Sequence, residues 1–215
     1  MPVAPMFPLG SVLVPGMVLP LHVFEPRYRQ LVRDCLAGDG EFGVVLIERG
    51  SEVGGGDVRT DAGTMARIVR VEELPDGRFA VAAVGVRRIR VERWLDDDPY
   101  PRAEVADWPD GAGDGEAGEP AAPGGAGTGA RDEVAALLRR VAALCAELGE
   151  PAPPLDLDLA DDLRVAGHQA TALAPLGPVD KQALLCAPTP GRRVEMLRGM
   201  LADQIEVLQA RLAAG

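Results

Sequence analysis

The sequence predicts an α+β protein: a small closed or half-closed β-barrel with one helix inserted early, followed by a bundle of about four helices. Three observations carry that prediction. Short segments with period-two alternation recur up to Trp108, a run nearly free of bulky apolar residues follows at 109–130, and helical spacing takes over from 131 to the end.

The first part reads as strands in series. Phe7, Leu9, Val12 and Val14 are interrupted by Pro8 and Gly10, after which residues 17–24 alternate cleanly. Val18, Pro20, His22 and Phe24 fall on one face, and Met17, Leu19, Leu21 and Val23 on the other. Residues 26–37 interrupt with a helix: Pro26 suits the first turn, Tyr28, Leu31, Val32, Cys35 and Leu36 share a face, and Gly38 ends it. Strands are expected at 41–48, at 64–74, across the Asp76-Gly77 hairpin signal into 78–84, at 87–94 with Gly85 as a bulge position, and at 102–108.

The run 109–130 contains 8 Gly, 6 Ala and 3 Pro among its 22 residues and no Val, Ile, Leu or Phe. With nothing to bury against the entropy of ordering, it is expected to be a flexible linker or long loop. The expected domains are therefore 1–108, a linker at 109–130, and 131–215. In the last, Val134, Leu137, Leu138, Val141, Leu144, Cys145 and Leu148 follow helical spacing up to Gly149. Further helices are expected at 159–174, at 179–186, and from Thr189-Pro190 onward, where Val194, Leu197, Leu201, Leu208 and Leu212 form a seam. That seam suits packing within the bundle, with a homodimer through the C-terminal helix as the alternative.

Composition excludes several functions. The formal charge of −11 comes from 13 basic and 17 acidic residues in 1–108, four acidic and none basic in 109–130, and 9 basic and 12 acidic in 131–215. No segment carries the positive field that a phosphate backbone requires. The 24 uncharged residues that open the chain contain five prolines and lack a basic n-region, which argues against a signal peptide or membrane anchor. Cys35, Cys145 and Cys186 are isolated in apolar helical patterns and read as buried thiols, so a cytoplasmic location is expected.

A search for chemistry finds no catalytic, cofactor or metal site. The one lysine, Lys181, follows Asp180 and cannot complete a phosphate-binding loop, and Gly54-Gly55-Gly56 precedes no helix. Ser11 and Ser51 lie in no nucleophile motif, and His22 and His168 have no cysteine knuckle or H-E-x-x-H pattern around them. Asp96-Asp97-Asp98 reads as a solvated turn. Asp156, Asp158, Asp161 and Asp162 read as helix-capping groups, since no glycine sits where a calcium loop needs one. Arg87, Arg88, Arg90 and Arg93 form the one basic cluster and fit a strand with a wet face.

Beyond periodicity, specific wording runs through the chain. Phe7-Pro-Leu-Gly10, Pro15-Gly16, Leu19-Pro-Leu-His-Val-Phe-Glu-Pro-Arg-Tyr-Arg-Gln-Leu31, Phe42-Gly-Val-Val-Leu-Ile47, Gly63-Thr64, Leu74-Pro-Asp-Gly77 and Gly85-Val-Arg-Arg-Ile-Arg-Val91 resemble, in order, the N-terminal substrate-binding domain of Lon proteases. Asp180-Lys-Gln-Ala-Leu-Leu185, Pro188-Thr-Pro190 and the helix from Arg192 resemble that family's helical subdomain. The resemblance implies a PUA-like barrel followed by a helical bundle, and stand-alone bacterial proteins that keep the module without ATPase or peptidase domains. It implies a non-enzymatic module that engages unfolded or damaged polypeptide, or a protease or chaperone partner. Polypeptide recognition needs exposed apolar surface, so the candidate contacts are Val12, Leu13, Val14 and Met17 in the uncharged loop, with His22, Phe24 and Arg27 beside it. Alternatives from other classes are RNA binding, as PUA-like barrels elsewhere do, and a hydrolase with an unrecognised site.

Overall fold

A computed structural model describes residues 1–50, 58–111, 126–154 and 156–214, and these divide between two compact units, Met1–Pro109 and Asp110–Gly215. The fold is α+β. The first unit holds β1 (Val3–Leu9), β2 (Val18–Val23), α1 (Pro26–Ala37), β3 (Glu41–Arg49), β4 (Val58–Glu73), β5 (Phe79–Trp94) and β6 (Arg102–Asp107). The strands run in the order β2-β5-β4-β3-β1-β6, and a second pairing of β6 with β5 closes five of them into a ring. Only the β1–β3 pairing is parallel, which the excursion through β2 and α1 between them permits.

β5 explains how β2 joins this ring. Its first half, Phe79 to Val84, pairs with β2, and its second half, Ile89 to Trp94, pairs with β6. The change of neighbour coincides with a register shift in which Arg87 and Gly85 oppose consecutive residues of β4. The two strands expected on either side of Gly85 are thus one strand carrying a bulge. Glycine is required there because a Cβ would stand 2.5 Å from the Val14 carbonyl oxygen. The loop before β2 is fastened at the same point, where Gly16 donates to the Gly85 carbonyl at 2.8 Å and Gly85 donates to that of Met17 at 2.9 Å.

Two cores fill this unit. Met6, Val45, Met65, Ile89 and Val105 pack together, and Phe7, Leu19, Val23, Leu31, Phe42 and Phe79 form a second cluster beneath α1 and β2. α1 buries Tyr28, Leu31, Val32 and Cys35 as its spacing predicts, whereas Leu36 stays 48% exposed. β4 begins at Val58, six residues before its expected start. The register there is held by pairing with β3 and by the Thr60 hydroxyl donating to the Leu46 carbonyl at 3.3 Å. The Gly54-Gly55-Gly56 segment and Ser51 lie outside the described residues.

The second unit holds α2 (Ala126–Glu147), α3 (Leu163–Leu173), α4 (Pro178–Leu185) and α5 (Pro190–Ala214). α2 starts inside the run expected to be linker, and residues 112–125 of that run lie outside the described residues. α3 starts later than its periodicity suggests, because Asp162 caps it by accepting from the Arg164 amide at 2.9 Å. Thr189 caps α5 through its hydroxyl and the Arg192 amide. Val194, Leu197, Leu201 and Leu208 are all buried with Val134, Leu138 and Val141 in the unit's own core. Those four side chains pack within the bundle, and Leu212, the fifth residue of the expected seam, is half-buried.

Candidate functional site

The apolar loop between β1 and β2, expected to be exposed, is largely buried. Val12, Leu13 and Val14 are 5%, 2% and 1% exposed, and the Thr64 hydroxyl donates to the Leu13 carbonyl at 2.6 Å. Met17 is half-buried against the core below α1. Their lack of charge reflects burial on β4 and β5, which a loop's sequence alone does not reveal.

The other three candidates gather along β2. Its burial alternates as the two-faced reading predicts, with Leu19 and Val23 buried and Val18, Pro20 and His22 exposed. Phe24, just past its end, is 53% exposed. Arg27 pairs with Glu25 at 3.2 Å and lies 4.5 Å over the Tyr28 ring, so it closes the turn into α1. Two depressions flank the strand. One, of about 430 Å³, is floored by Ala80 and Ala82 and walled by Pro20 and His22 on one side and by Arg70 and Glu72 on the other. The register explains its shape: Pro20 and His22 stand opposite Ala82 and Ala80, which stand opposite Arg70 and Glu72, so two alanines form a trough between taller neighbours. The other, of about 160 Å³, is lined mainly by apolar residues, Phe7, Leu9, Leu21, Val23, Phe24 and Tyr28 among them, with His22 and Glu25 as its polar members. The Phe7 and Tyr28 rings stack in its floor, with centroids 4.1 Å apart.

β2 is also the end strand of the sheet. The Gly85-to-Met17 hydrogen bond shares the β2–β5 register, so Met17, Leu19, Leu21 and Val23 direct their backbone groups to β5. Those of Val18, Pro20 and His22 point the opposite way, to an edge with no partner strand among the described residues. Pro20 is tolerated for that reason: its missing N–H lies on the open side and removes no ladder bond. A proline inside an alternating run was the signal for this edge.

Among the described residues no group of three or more His, Cys, Asp or Glu side chains is placed to hold a metal. Burial, reinforced by Asp39 and Asp34, pushes the Cys35 thiol up to about 12, and its Sγ lies 3.3 Å from the Glu41 carbonyl. Cys145 is likewise buried, and Cys186 half-buried. Lys181 donates to the Ala172 carbonyl at 3.3 Å. Within the arginine cluster, Arg87 binds Glu41 at 2.7 Å and Asp107 at 2.8 Å, Arg93 binds Glu104 at 2.6 Å, and the Arg88 and Arg90 guanidiniums lie over the Trp108 ring at 4.6 and 4.4 Å. Asp97 of the acidic turn is held by Arg59. No described helix is long and apolar enough to cross a membrane.

Comparison with known proteins gives this surface its context. The family model described as the ATP-dependent protease La (LON) substrate-binding domain matches residues 3–203. Lon protease 2 of Myxococcus xanthus is 30% identical over 216 residues, which are 96% of this chain and 24% of that protein. Lon protease 1 of Herpetosiphon aurantiacus is 24% identical over 210 residues, 94% of this chain and 24% of that protein. The chain thus spans about a quarter of the length of these relatives. The crystal structure of a Lon N-terminal domain protein from Xanthomonas campestris superposes with a TM-score of 0.62 at 30% identity, covering 92% of this chain and 97% of that one. The N-terminal domain of a Mycobacterium avium complex Lon protease shares the fold, with a TM-score of 0.59 at 17% identity.

Proposed function

The chain belongs to the Lon substrate-binding domain family, and from that premise we propose that it is a non-enzymatic, cytoplasmic module that binds polypeptide in an unfolded or damaged state, for itself or for a protease or chaperone partner. The observation that carries this reading is the apolar groove beside β2. Phe24 is 53% exposed there, above a stacked Phe7–Tyr28 pair, with Leu21 alongside. An aromatic exposed to that extent over an apolar floor is the kind of anchor position at which binding energy concentrates. Folded proteins hide bulky apolar side chains and unfolded ones do not, so such a groove sorts chains by folding state.

The test is fluorescence anisotropy with a labelled, reduced and carboxymethylated α-lactalbumin, which cannot fold, against the native protein. The unfolded probe is expected to bind and the native one not. Phe24→Ser is expected to weaken binding by about tenfold, equivalent to ~1.4 kcal/mol, with the circular dichroism spectrum unchanged. Equal binding of both probes, or none of either, would refute the reading.

A further inference from the structure

We infer that the free edge of β2 receives an extended segment of the bound polypeptide as an added antiparallel strand, with side chains alternately apolar and polar. This rests on the polypeptide-binding reading and specifies how the chain is held.

The edge has the donors and acceptors such a strand needs. Val18 and His22 each present an N–H and a carbonyl, and Pro20 between them presents a carbonyl, to the side away from β5. An antiparallel partner of five residues exchanges two hydrogen bonds with Val18, two with His22, and donates one to Pro20. The two faces of β2 fix the chemistry of its side chains. Residues opposite Val18, Pro20 and His22 project to the same exposed face as those three side chains, next to the His22 imidazole and solvent, and so are polar. Residues between them project to the other face, toward Leu21, Phe7 and Tyr28, and so are bulky and apolar. A segment with that alternation is a half-buried strand of some other protein, paired in its native fold and available only when that fold is lost.

The same proline argues against a second copy of this chain as occupant. Two β2 strands in full antiparallel overlap pair Val18 with His22 and Pro20 with Pro20, which sets two carbonyls face to face with no N–H between them. A different chain supplies the missing donor at that point.

The test uses the whole protein and a fluorescein-labelled Ser-Thr-Val-Thr-Ile-Thr-Ser peptide, with two modified versions, one N-methylated at the threonines and one at the Val and Ile. Methylating the amides that face β2 removes hydrogen bonds and leaves every side chain in place. In an antiparallel strand these are the threonine amides. That version is expected to bind at least about tenfold more weakly, and the Val/Ile version within about twofold of the parent. Equal affinity for all three overturns strand addition while leaving the groove reading intact, as does failure of the parent peptide alongside binding of carboxymethylated α-lactalbumin. A loss confined to the Val/Ile version overturns the antiparallel placement. Failure of both the peptide and the unfolded protein overturns both inferences. Sedimentation as a dimer with Val18 and His22 amides protected from exchange would place a second copy on the edge and overturn the proposal.

Discussion

Asp110→Ala is expected to unfold the helical unit selectively. Arg193 of α5 is fully buried, and Asp110 is 9% exposed. Its guanidinium donates to both Asp110 oxygens, at 2.7 and 3.2 Å, and through Nε to the Leu184 carbonyl at 3.0 Å. Its stem passes Gly167, where a Cβ would stand 3.3 Å from Cδ. Removing the carboxylate strands a cation that no water reaches, and breaking a buried pair in this way costs ~3–5 kcal/mol. With a urea m-value of about 2 kcal/mol/M, the midpoint falls by roughly 2 M. The two units can be followed separately, because all 2 Trp, 2 Tyr and 4 Phe lie before residue 109. Ellipticity at ~222 nm, dominated by α2 to α5, should lose its midpoint while tryptophan fluorescence from Trp94 and Trp108 holds. Arg193→Met in the Asp110→Ala background removes the stranded charge and should recover part of the loss, since the Leu184 carbonyl keeps the Ala187 amide as a donor at 3.3 Å. A shift below about 0.3 M for Asp110→Ala, or a double variant no more stable than the single, would refute the electrostatic account.

Tyr100 is raised to about 12 by burial and by donating its hydroxyl to Asp34 at 2.8 Å. Because the folded value lies above the ordinary phenol's ~10, the stabilisation is complete below pH ~10 and is lost as pH rises toward 12. Absorbance at ~295 nm of Tyr28→Phe, which leaves Tyr100 as the only tyrosine, should show that late titration, and Tyr100→Phe should remove the alkaline slope in stability. Gly85→Ala drives a methyl to 2.5 Å from the Val14 carbonyl and 3.1 Å from Thr64 Cγ2, and should cost ~1–3 kcal/mol by thermal melting. An unchanged melting temperature would mean that the loop moves freely. Brief iodoacetamide treatment at pH ~8 should leave Cys35 unmodified and label half-buried Cys186 first, as read by peptide mass mapping.

Local pattern carried most of the fold and less of the site. The faces of β2 followed from alternation, the buried stripe of α1 apart from Leu36 from helical spacing, and the cap at Thr189 from its residue type before Pro190. What alternation lacks is the identity of the neighbour. Residues 12–14 look like an exposed apolar loop until Thr64 and Gly85, more than fifty residues away in sequence, close over them. The start of β4 at Val58 was hidden for the same reason, since Val-Arg-Thr-Asp-Ala-Gly has no period and is extended only because β3 lies beside it. The trough at Ala80 and Ala82 depends on which residues stand across two strand pairs. That cross-strand register is absent from any single strand's pattern.

Barrel closure accounts for why an open edge exists here at all. β5 is long enough to serve two neighbours, and the one on its second half, β6, continues round to β1, while the one on its first half, β2, does not. Exposed edges are ordinarily guarded by charge, and lysine is the usual choice. β2 carries no charged residue between Val18 and Val23. Its only guard is Pro20, which blocks symmetric self-pairing yet leaves the amides of Val18 and His22 available to a chain of different sequence. A charge would have repelled both kinds of partner. An uncharged edge with one proline discriminates between them, and the same requirement accounts for the even-numbered, exposed half of β2 within the charge-free opening of this chain.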